Sequence, residues 1–350
     1  MKAKILLTTA LSLAMPAMTP AAAEPAGSQS QTRQDTQAPD KKQQADKGDK
    51  PVMLRQPATM EPMPPIDPHR FGDKVPDEAF GAYQRGLYLT AFNLARPKAE
   101  QGDPASQTLI AEIYARGLGV PADQTKAAEW YAKAAEQGQR EAQFRYAAML
   151  LQGKYVPKDP QKAEFYMKKA AEAGNPMAQF NYAQMLMLKT PGKAGLDLAF
   201  PWFEKAAEAN LADAQYALSQ IYANGTDKIA RDDNRARAYL LQAAIKGYDT
   251  AQYDLGEWLV TGRGGERNYE AGFKWTAAAA RRGLVAAQAS LARLYRDGLG
   301  TEGDLVKAAA WYIVAQRAGY RAPDLNDMMD GLDDEQIKQA IETANKLDIR

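Results

Sequence analysis

The chain has 350 residues, an almost balanced charge of 44 lysines and arginines against 43 aspartates and glutamates, and no cysteine. Such a balance argues against a protein that tracks nucleic-acid phosphates, because that class needs a basic surface. Without cysteine no disulfide can form, so packing alone must stabilise the fold.

The first 23 residues have the order of a secretory signal peptide. Lys2 and Lys4 precede an apolar run from Ile5 to Ala14, and small residues end at Ala23. The run is shorter than the roughly 20 residues that span a bilayer. We therefore expect cleavage after Ala23 rather than a membrane anchor, which predicts a periplasmic or secreted protein.

Residues 24–75 are rich in proline, glutamine and lysine and poor in side chains that could form a core. We predict a disordered tether. Its second half, residues 51–68, carries methionines among prolines. That half is open to two interpretations, a stiffened linker or a short binding motif. Apolar residues at helical spacing begin again in residues 76–102, for which we predict a shortened N-terminal capping repeat.

A period of about 36 residues governs residues 103–320. Each period reads as helix, turn, helix and turn, and a glutamine recurs near its start. The glutamines are Gln107, Gln143, Gln179, Gln215, Gln252 and Gln288. A fixed period of this size is typical of stacked helical hairpins. We therefore predict an all-α solenoid of antiparallel helix hairpins, with six repeats, the short N-terminal repeat and a C-terminal capping helix in residues 321–350.

Each second helix contributes one aromatic side chain at the same place in the period. These residues are Trp130, Tyr166, Trp202, Tyr239, Trp275 and Trp311. So regular a column predicts a core position, with a ligand-stacking surface as the alternative. A shorter aromatic stripe lies on the first helices, and it is either partly exposed or part of the core. Burial of more than half of each side chain would assign it to the core. It consists of Phe144, Phe180, Tyr216 and Tyr253.

The repeat resembles the Sel-1-like repeat, most fully in residues 111–138. The matching residues there are Tyr114, Gly117, Gly119, Val120, Asp123, Lys126, Ala127, Trp130, Tyr131, Lys133, Ala134, Ala135 and Gly138. The resemblance implies a right-handed superhelix related to tetratricopeptide repeats, with scaffolding, adaptor or signalling roles, often at the bacterial envelope. It also implies a link to exported members that regulate exopolysaccharide production through a sensor kinase. Residues 189–193 and 226–229 depart from the repeat's turn.

No catalytic, metal or cofactor site is predicted, so we expect a protein that is not an enzyme. His69, the single histidine, lies in the predicted tether, which excludes a fixed Ser-His-Asp arrangement. The glycine pattern at 298–303 follows a helix rather than the strand that a dinucleotide site requires. The acidic segment 324–335 does not fit a calcium loop, and we predict instead that Asp333 and Gln336 cap a terminal helix.

Positions that differ from repeat to repeat are free to recognise a partner, and the resemblance places the first helices on the concave face. The candidate contacts are Arg145, Asn181, Gln184, Gln220, Asp254, Glu257 and Arg293. The leading hypothesis is a monomeric, exported adaptor that binds an envelope protein or the extracytoplasmic domain of a sensor. The alternative is a protein that binds or hydrolyses cell-wall or other polysaccharides.

Overall fold

The computed structural model describes residues 77–349, so the predicted signal peptide and tether lie outside the described residues. In that range the chain forms sixteen α-helices and no strand. The helices are α1 (Glu78–Gln84), α2 (Tyr88–Glu100), α3 (Pro104–Arg116), α4 (Gln124–Glu136), α5 (Arg140–Gln152), α6 (Pro160–Glu172), α7 (Pro176–Lys189), α8 (Lys193–Glu208), α9 (Ala212–Asn224), α10 (Asp233–Ile245), α11 (Asp249–Thr261), α12 (Tyr269–Arg281), α13 (Val285–Asp297), α14 (Leu305–Arg317), α15 (Pro323–Asp330) and α16 (Asp334–Lys346). None of these helices is both long and apolar enough to cross a membrane.

The helices pack in chain order. Each helix from α1 to α13 packs on the next one, and α16 returns to pack on α14. Helices α3 to α14 thus form six consecutive hairpins, one for each sequence repeat, which confirms the predicted all-α architecture of repeated hairpins.

Five of the six hairpin turns are closed in the same way. An aspartate or asparagine caps the second helix by accepting a hydrogen bond from the backbone N–H three residues later. Its own backbone N–H donates to a carbonyl near the end of the first helix. The capping residues are Asp123, Asp159, Asp232, Asn268 and Asp304. One residue therefore satisfies unpaired backbone groups of both helices in each hairpin.

The third repeat has a different turn. Only residues 190–192 separate α7 from α8, and Gly192 caps α8 without a side-chain hydrogen bond. Gly195, in the first turn of α8, is buried so closely against the Thr190 carbonyl that a Cβ atom there would overlap the oxygen. The Pro191-Gly192 pair, which marked this repeat as a departure from the pattern, therefore builds a tighter hairpin.

The second glycine of the Gly-x-Gly turn makes a contact between repeats. A Cβ atom on Gly119 would lie 2.8 Å from the Leu89 backbone nitrogen, at the start of the preceding second helix. Cβ atoms on Gly264 and Gly300 would overlap the carbonyl oxygens of Asp233 and Tyr269, at the corresponding places in later repeats. The turn of one repeat thus lies directly against the second helix of the repeat before it.

The recurring glutamines also join neighbouring repeats. Each side-chain Nε2 donates a hydrogen bond to the backbone carbonyl of the alanine eight residues earlier, at N–O distances of 3.0 to 3.4 Å. That alanine lies in the last turn of the preceding second helix, where carbonyl groups lack partners within the helix. The glutamine column therefore fastens the first helix of each repeat to the second helix before it.

The deepest core column lies one residue after the predicted aromatic column. Its members are at most 2% exposed: Tyr131, Met167, Phe203, Leu240, Thr276 and Tyr312. In the predicted column, Tyr166 and Trp311 are buried, whereas Trp130, Trp202, Tyr239 and Trp275 are partly exposed. Lysine ammonium groups lie 4.4 Å and 4.6 Å from the ring centres of Trp130 and Trp202. These two indoles therefore lie at the margin of the core.

The C-terminal segment forms two helices, whereas the sequence pattern indicated only the second. Asp333 and Gln336 make the predicted capping box at the start of α16. On α16, Ala340 and Ala344 are buried, whereas Ile341 is 43% exposed. Helix α15 is held against α14 by Leu325, which is fully buried, and by the Tyr312 hydroxyl, which donates to the Asn326 side-chain oxygen at 2.6 Å and accepts from the Ala322 backbone N–H at 3.1 Å.

Candidate partner-binding face

The seven candidate contacts lie on the first helices of the hairpins. We call the surface formed by these helices, α3, α5, α7, α9, α11 and α13, the first-helix face. Two of them are buried in the array: Asn181 is 5% exposed and Gln184 is 7% exposed. The Asn181 side chain donates a hydrogen bond to the Met177 carbonyl at 2.6 Å. These two side chains offer little surface to a partner. The other five are partly exposed: Arg145, Gln220, Asp254, Glu257 and Arg293.

A polar cluster joins the first three repeats around Arg145. The Arg145 guanidinium pairs with Glu141 at 2.8 Å, and the Asn175 amide donates to the other Glu141 oxygen at 2.8 Å. Nearby, the Tyr131 hydroxyl donates to Glu112 at 2.6 Å. Burial, followed by the Glu112 charge, raises the pKa of Tyr131, so its hydroxyl stays protonated as the donor. The cluster thus presents a fixed arrangement of charges rather than freely moving side chains.

A second polar cluster centres on Asp254 of α11. Its carboxylate accepts hydrogen bonds from the Tyr216 hydroxyl at 3.0 Å and from the Gln220 amide at 3.3 Å, both on α9. The Tyr216 ring stacks on Tyr248, with ring centres 4.9 Å apart. Burial raises the pKa of Asp254 to about 6, although the two hydrogen bonds oppose that shift. Two of the predicted residues therefore contact each other across a repeat boundary.

Glu257 and Arg293 continue this face toward the C-terminus. Burial raises the pKa of Glu257, against the opposing effects of a Ser290 hydrogen bond and the Arg293 charge. Arg293 forms a two-point ion pair with Asp324 of α15, with both N–O distances 2.8 Å. That hydrogen bonding lowers the pKa of Asp324 to about 2. Arg293 therefore holds α15 in place while part of its side chain remains exposed.

Sequence reasoning missed the partners of the predicted residues. The structure adds Glu112, Glu141 and Tyr216 on first helices, with Tyr131 of α4 and Asp324 of α15 beside them. Three of these five are acids on helices where charged surface residues are common. Tyr216 belongs to the aromatic stripe on the first helices, and all four members of that stripe are more than half buried, so they are part of the core. Comparing positions down one column cannot reveal these contacts, because each contact joins two different columns.

The acidic side chains of this face have protein partners rather than the geometry of a metal site. Throughout residues 77–349, no three side chains of the metal-binding types His, Cys, Asp and Glu come together. Asp254 faces a tyrosine and a glutamine, and Asp324 faces two arginines. What the face offers chemically is hydrogen bonding, charge and aromatic surface.

Comparison with known proteins identifies the repeat. The family model for the Sel1 repeat matches six consecutive segments, each of which contains one of the helical hairpins. The segments are residues 104–139, 140–175, 176–211, 212–248, 249–284 and 285–320.

Two solved structures share the fold over most of the described chain. A Sel1 repeat protein from Oxalobacter formigenes is 31% identical, with a TM-score of 0.59 over 69% of this chain and 98% of that one. A protective antigen present in uropathogenic Escherichia coli strains, displaying an SLR fold, is 26% identical. Its TM-score is 0.53, over 77% of this chain and 67% of that one.

Two curated relatives match a shorter stretch. Chitin synthase regulator SKT5 of Saccharomyces cerevisiae is 34% identical over 97 residues, which is 27% of this chain. Chitin synthase regulatory factor 3 of Schizosaccharomyces pombe is 30% identical over 105 residues, which is 29% of this chain. The matched stretches span only 14% and 11% of those relatives.

Proposed function

The chain belongs to the Sel1 repeat family, and from that membership we propose that it is an exported adaptor that binds a protein partner of the cell envelope through its first-helix face. A Sel1 repeat array is a scaffold for protein–protein interaction. The observation that carries the proposal is the contrast between columns: the shared glutamines are buried, whereas Arg145, Gln220 and Glu257 differ between repeats and remain partly exposed.

Export is supported by the first 23 residues, whose charged, apolar and small-residue order is that of a signal peptide. The absence of cysteine is compatible with an oxidising compartment, because no thiol would need protection there. We propose a periplasmic location, with the partner an envelope protein or a sensor's extracytoplasmic domain.

Regulation of polysaccharide synthesis is the more specific role that we propose for this adaptor. The two curated relatives are named as regulators of chitin synthase, an enzyme that makes a polysaccharide. Their similarity to this chain supports a regulatory partner contact of the same general kind. Here the partner would control or carry out exopolysaccharide production.

Affinity capture from the native cell envelope tests the proposal. The mature chain should recover one protein in stoichiometric amount. The double variant Gln220→Ala/Glu257→Gln should recover at least about fivefold less of it, because it removes one polar side chain and one negative charge from the centre of the face. A matched control, Lys168→Ala/Lys274→Ala, changes two exposed lysines on second helices and should leave recovery unchanged.

Three outcomes would overturn the proposal. Recovery of glycan alone would favour the polysaccharide-binding alternative. Equal loss of the partner in both variants would mean that the first-helix face is not the binding surface. Recovery that neither variant changes would have the same meaning.

A further inference from the structure

One second helix departs from the others on its exposed side. Ile245, in the last turn of α10, is 67% exposed, and Leu241, one turn earlier, is 43% exposed. The position of Ile245 is charged in each of the other five repeats. The corresponding residues are Glu136, Glu172, Glu208, Arg281 and Arg317. A single exposed apolar residue is ordinary, but here an otherwise charged column becomes apolar beside a second exposed leucine.

Leu241 lies at the edge of a groove between α10 and α12. The groove has a volume of about 420 Å³, its floor includes the buried residues Leu255 and Leu259 of α11, and Trp275 lines the α12 side. This volume falls in the range of ligand pockets, about 300 to 1,000 Å³. It is large enough for one or two large apolar side chains. Ile245 extends the apolar surface along α10 from the position of Leu241.

The groove also contains a cation without an acidic partner. Arg237 lines it, and its guanidinium donates to the Glu266 carbonyl at 3.0 Å. Across residues 77–349 no carboxylate lies within ion-pairing distance of Arg237. The carboxylate of Asp233, one turn earlier on the same helix, is already engaged by Arg231 and Arg263. The charge on Arg237 is therefore available to an anionic group brought by another molecule.

We propose that the groove between α10 and α12 is a second docking surface, and that it binds a short segment of a partner protein that combines a large apolar side chain with a carboxylate. The apolar side chain packs against Leu241 and Trp275, and the carboxylate pairs with Arg237. This surface lies between two second helices, with Leu255 and Leu259 of α11 at its floor, and it shares no residue with the seven candidate contacts. Two surfaces of this kind allow one chain to hold two proteins at once.

Selection from a phage-displayed library of random dodecapeptides tests this assignment. Against the immobilised full-length chain, enriched peptides should carry a large apolar residue within a few positions of an aspartate or glutamate. Binding of a synthetic copy is then measured by fluorescence anisotropy. Leu241→Glu should weaken it at least about tenfold, because a charge replaces a groove contact, and Arg237→Gln should weaken it several-fold.

The control places the same charge on another exposed leucine of a second helix. Leu198, in α8, is 49% exposed, so Leu198→Glu should leave peptide binding unchanged. Because Leu241 and Ile245 are both exposed, their variants should retain the wild-type helical content. If Leu241→Glu lowers the thermal midpoint, Ile245→Gln provides the same test at a more exposed site.

Several results would overturn the proposal. No enrichment, enrichment of basic peptides, or binding that neither Leu241→Glu nor Ile245→Gln weakens would each exclude the assigned occupant. Sedimentation showing a dimer that Ile245→Glu dissociates would assign the groove to a second copy of the chain. Binding to phosphatidylcholine vesicles that Ile245→Glu abolishes would assign it to a lipid surface. If the first-helix face proved to bind no partner, peptide binding in this groove could still be observed. The two proposals can therefore fail separately.

Discussion

At the scale of single residues, a few polar side chains join consecutive repeats. Asp254 links α11 to α9 through Tyr216 and Gln220, and the buried Gln215 links α9 to the end of α8. A buried polar group is costly unless it is hydrogen-bonded, so each of these residues depends on the neighbouring repeat. In a repeat array, where stability is set largely by contacts between neighbours, such residues influence cooperativity as well as local structure.

Asp254 should give the array a measurable pH dependence. Its pKa of about 6 in the folded chain is above the ordinary value near 3.9 for aspartate, so the folded state binds more protons between these values. Stability from this group is therefore largest below about pH 4 and falls as the pH rises to about 6. We expect the thermal midpoint of wild type, relative to Asp254→Asn, to fall by about 2 to 4 °C between those limits.

Asp324 provides the control for that measurement, because its pKa is shifted in the opposite direction. With a pKa of about 2, it stabilises the fold above about pH 4 and loses that contribution only in stronger acid. The difference between wild type and Asp324→Asn should stay nearly constant from about pH 4 to 6. If wild type and Asp254→Asn also differ by a constant amount, the Asp254 carboxyl does not titrate in this window.

Replacement of Gln215 tests the recurring link between repeats. Gln215→Leu keeps most of the side-chain volume in a site that is 1% exposed, but it removes the hydrogen bond to the Ala207 carbonyl. We expect a loss of at most about 1 kcal/mol in unfolding free energy. The Ala207 carbonyl also accepts from the Asn210 backbone, and leucine removes the Gln215 side-chain oxygen, which is buried without a hydrogen-bond partner. Urea denaturation followed by circular dichroism measures the loss. Gln242→Leu, at an exposed site, should change stability much less.

At the scale of helices and turns, the Gly-x-Gly turn sets the distance between repeats. Gly300 has a φ of +75° and touches the start of the preceding second helix at Tyr269. Gly138, which closes a repeat, has a φ of +86° with open space around the position of a Cβ. The two glycines share a left-handed backbone, but only Gly300 also needs the absence of a side chain for packing.

That difference predicts unequal effects of the same substitution. Gly138→Ala should cost about 1 kcal/mol, from the left-handed backbone alone. In Gly300→Ala the new methyl group also overlaps the Tyr269 carbonyl. That carbonyl belongs to the backbone, so it cannot move away by changing a side-chain rotamer, and the variant should cost at least about 2 kcal/mol more. Chemical denaturation of both variants compares them directly. Equal costs would mean that the turn and the preceding helix do not pack as closely as described.

The core column makes a similar distinction between neighbouring side chains. Phe203 is fully buried, whereas Trp202 is partly exposed with a lysine over its ring. Phe203→Ala should therefore cost about 3 to 5 kcal/mol, and Trp202→Ala should cost less despite the larger side chain. Thermal melting of the two variants tests the order. A larger loss of stability for Trp202→Ala than for Phe203→Ala would mean that the column containing Trp202, rather than the one containing Phe203, forms the centre of the core.

Some features of this structure were predictable from the sequence, and others were not. The helices and the hairpins were predictable because their signals lie close together in the sequence. Asp123 and Asp333 cap helices that begin at the next residue, and each recurring glutamine bonds to an alanine only eight residues earlier. The deepest column was not predictable, because Met167, Leu240 and Thr276 share no residue type, whereas the tryptophans beside them are conspicuous. Within the candidate face, the differing columns pointed to Asp254, which lies on the first helix α11. They could not reveal that Tyr216, one repeat earlier, would contact it.

At the scale of the whole molecule, one hairpin is repeated so that shared positions build the array. In the function that we propose, the positions that differ between repeats recognise the partner. The first-helix face has polar clusters around Arg145 and Asp254, each held by neighbours within the array. Preorganised side chains lose less conformational freedom on binding than mobile ones, which favours a specific partner. The groove lined by Leu241 and Arg237 is the second surface that we propose for a partner.

Site-specific photo-crosslinking in the native cell shows which set of helices contacts the partner. A photoreactive amino acid is placed in turn at Arg145, Gln220 and Arg293 on the first-helix face, and at Glu129, Lys168 and Lys274 on second helices. We expect one protein to be crosslinked from the first set of positions and not from the second. The same protein crosslinked only from the second set, or no protein crosslinked from the first-helix face, would contradict this expectation.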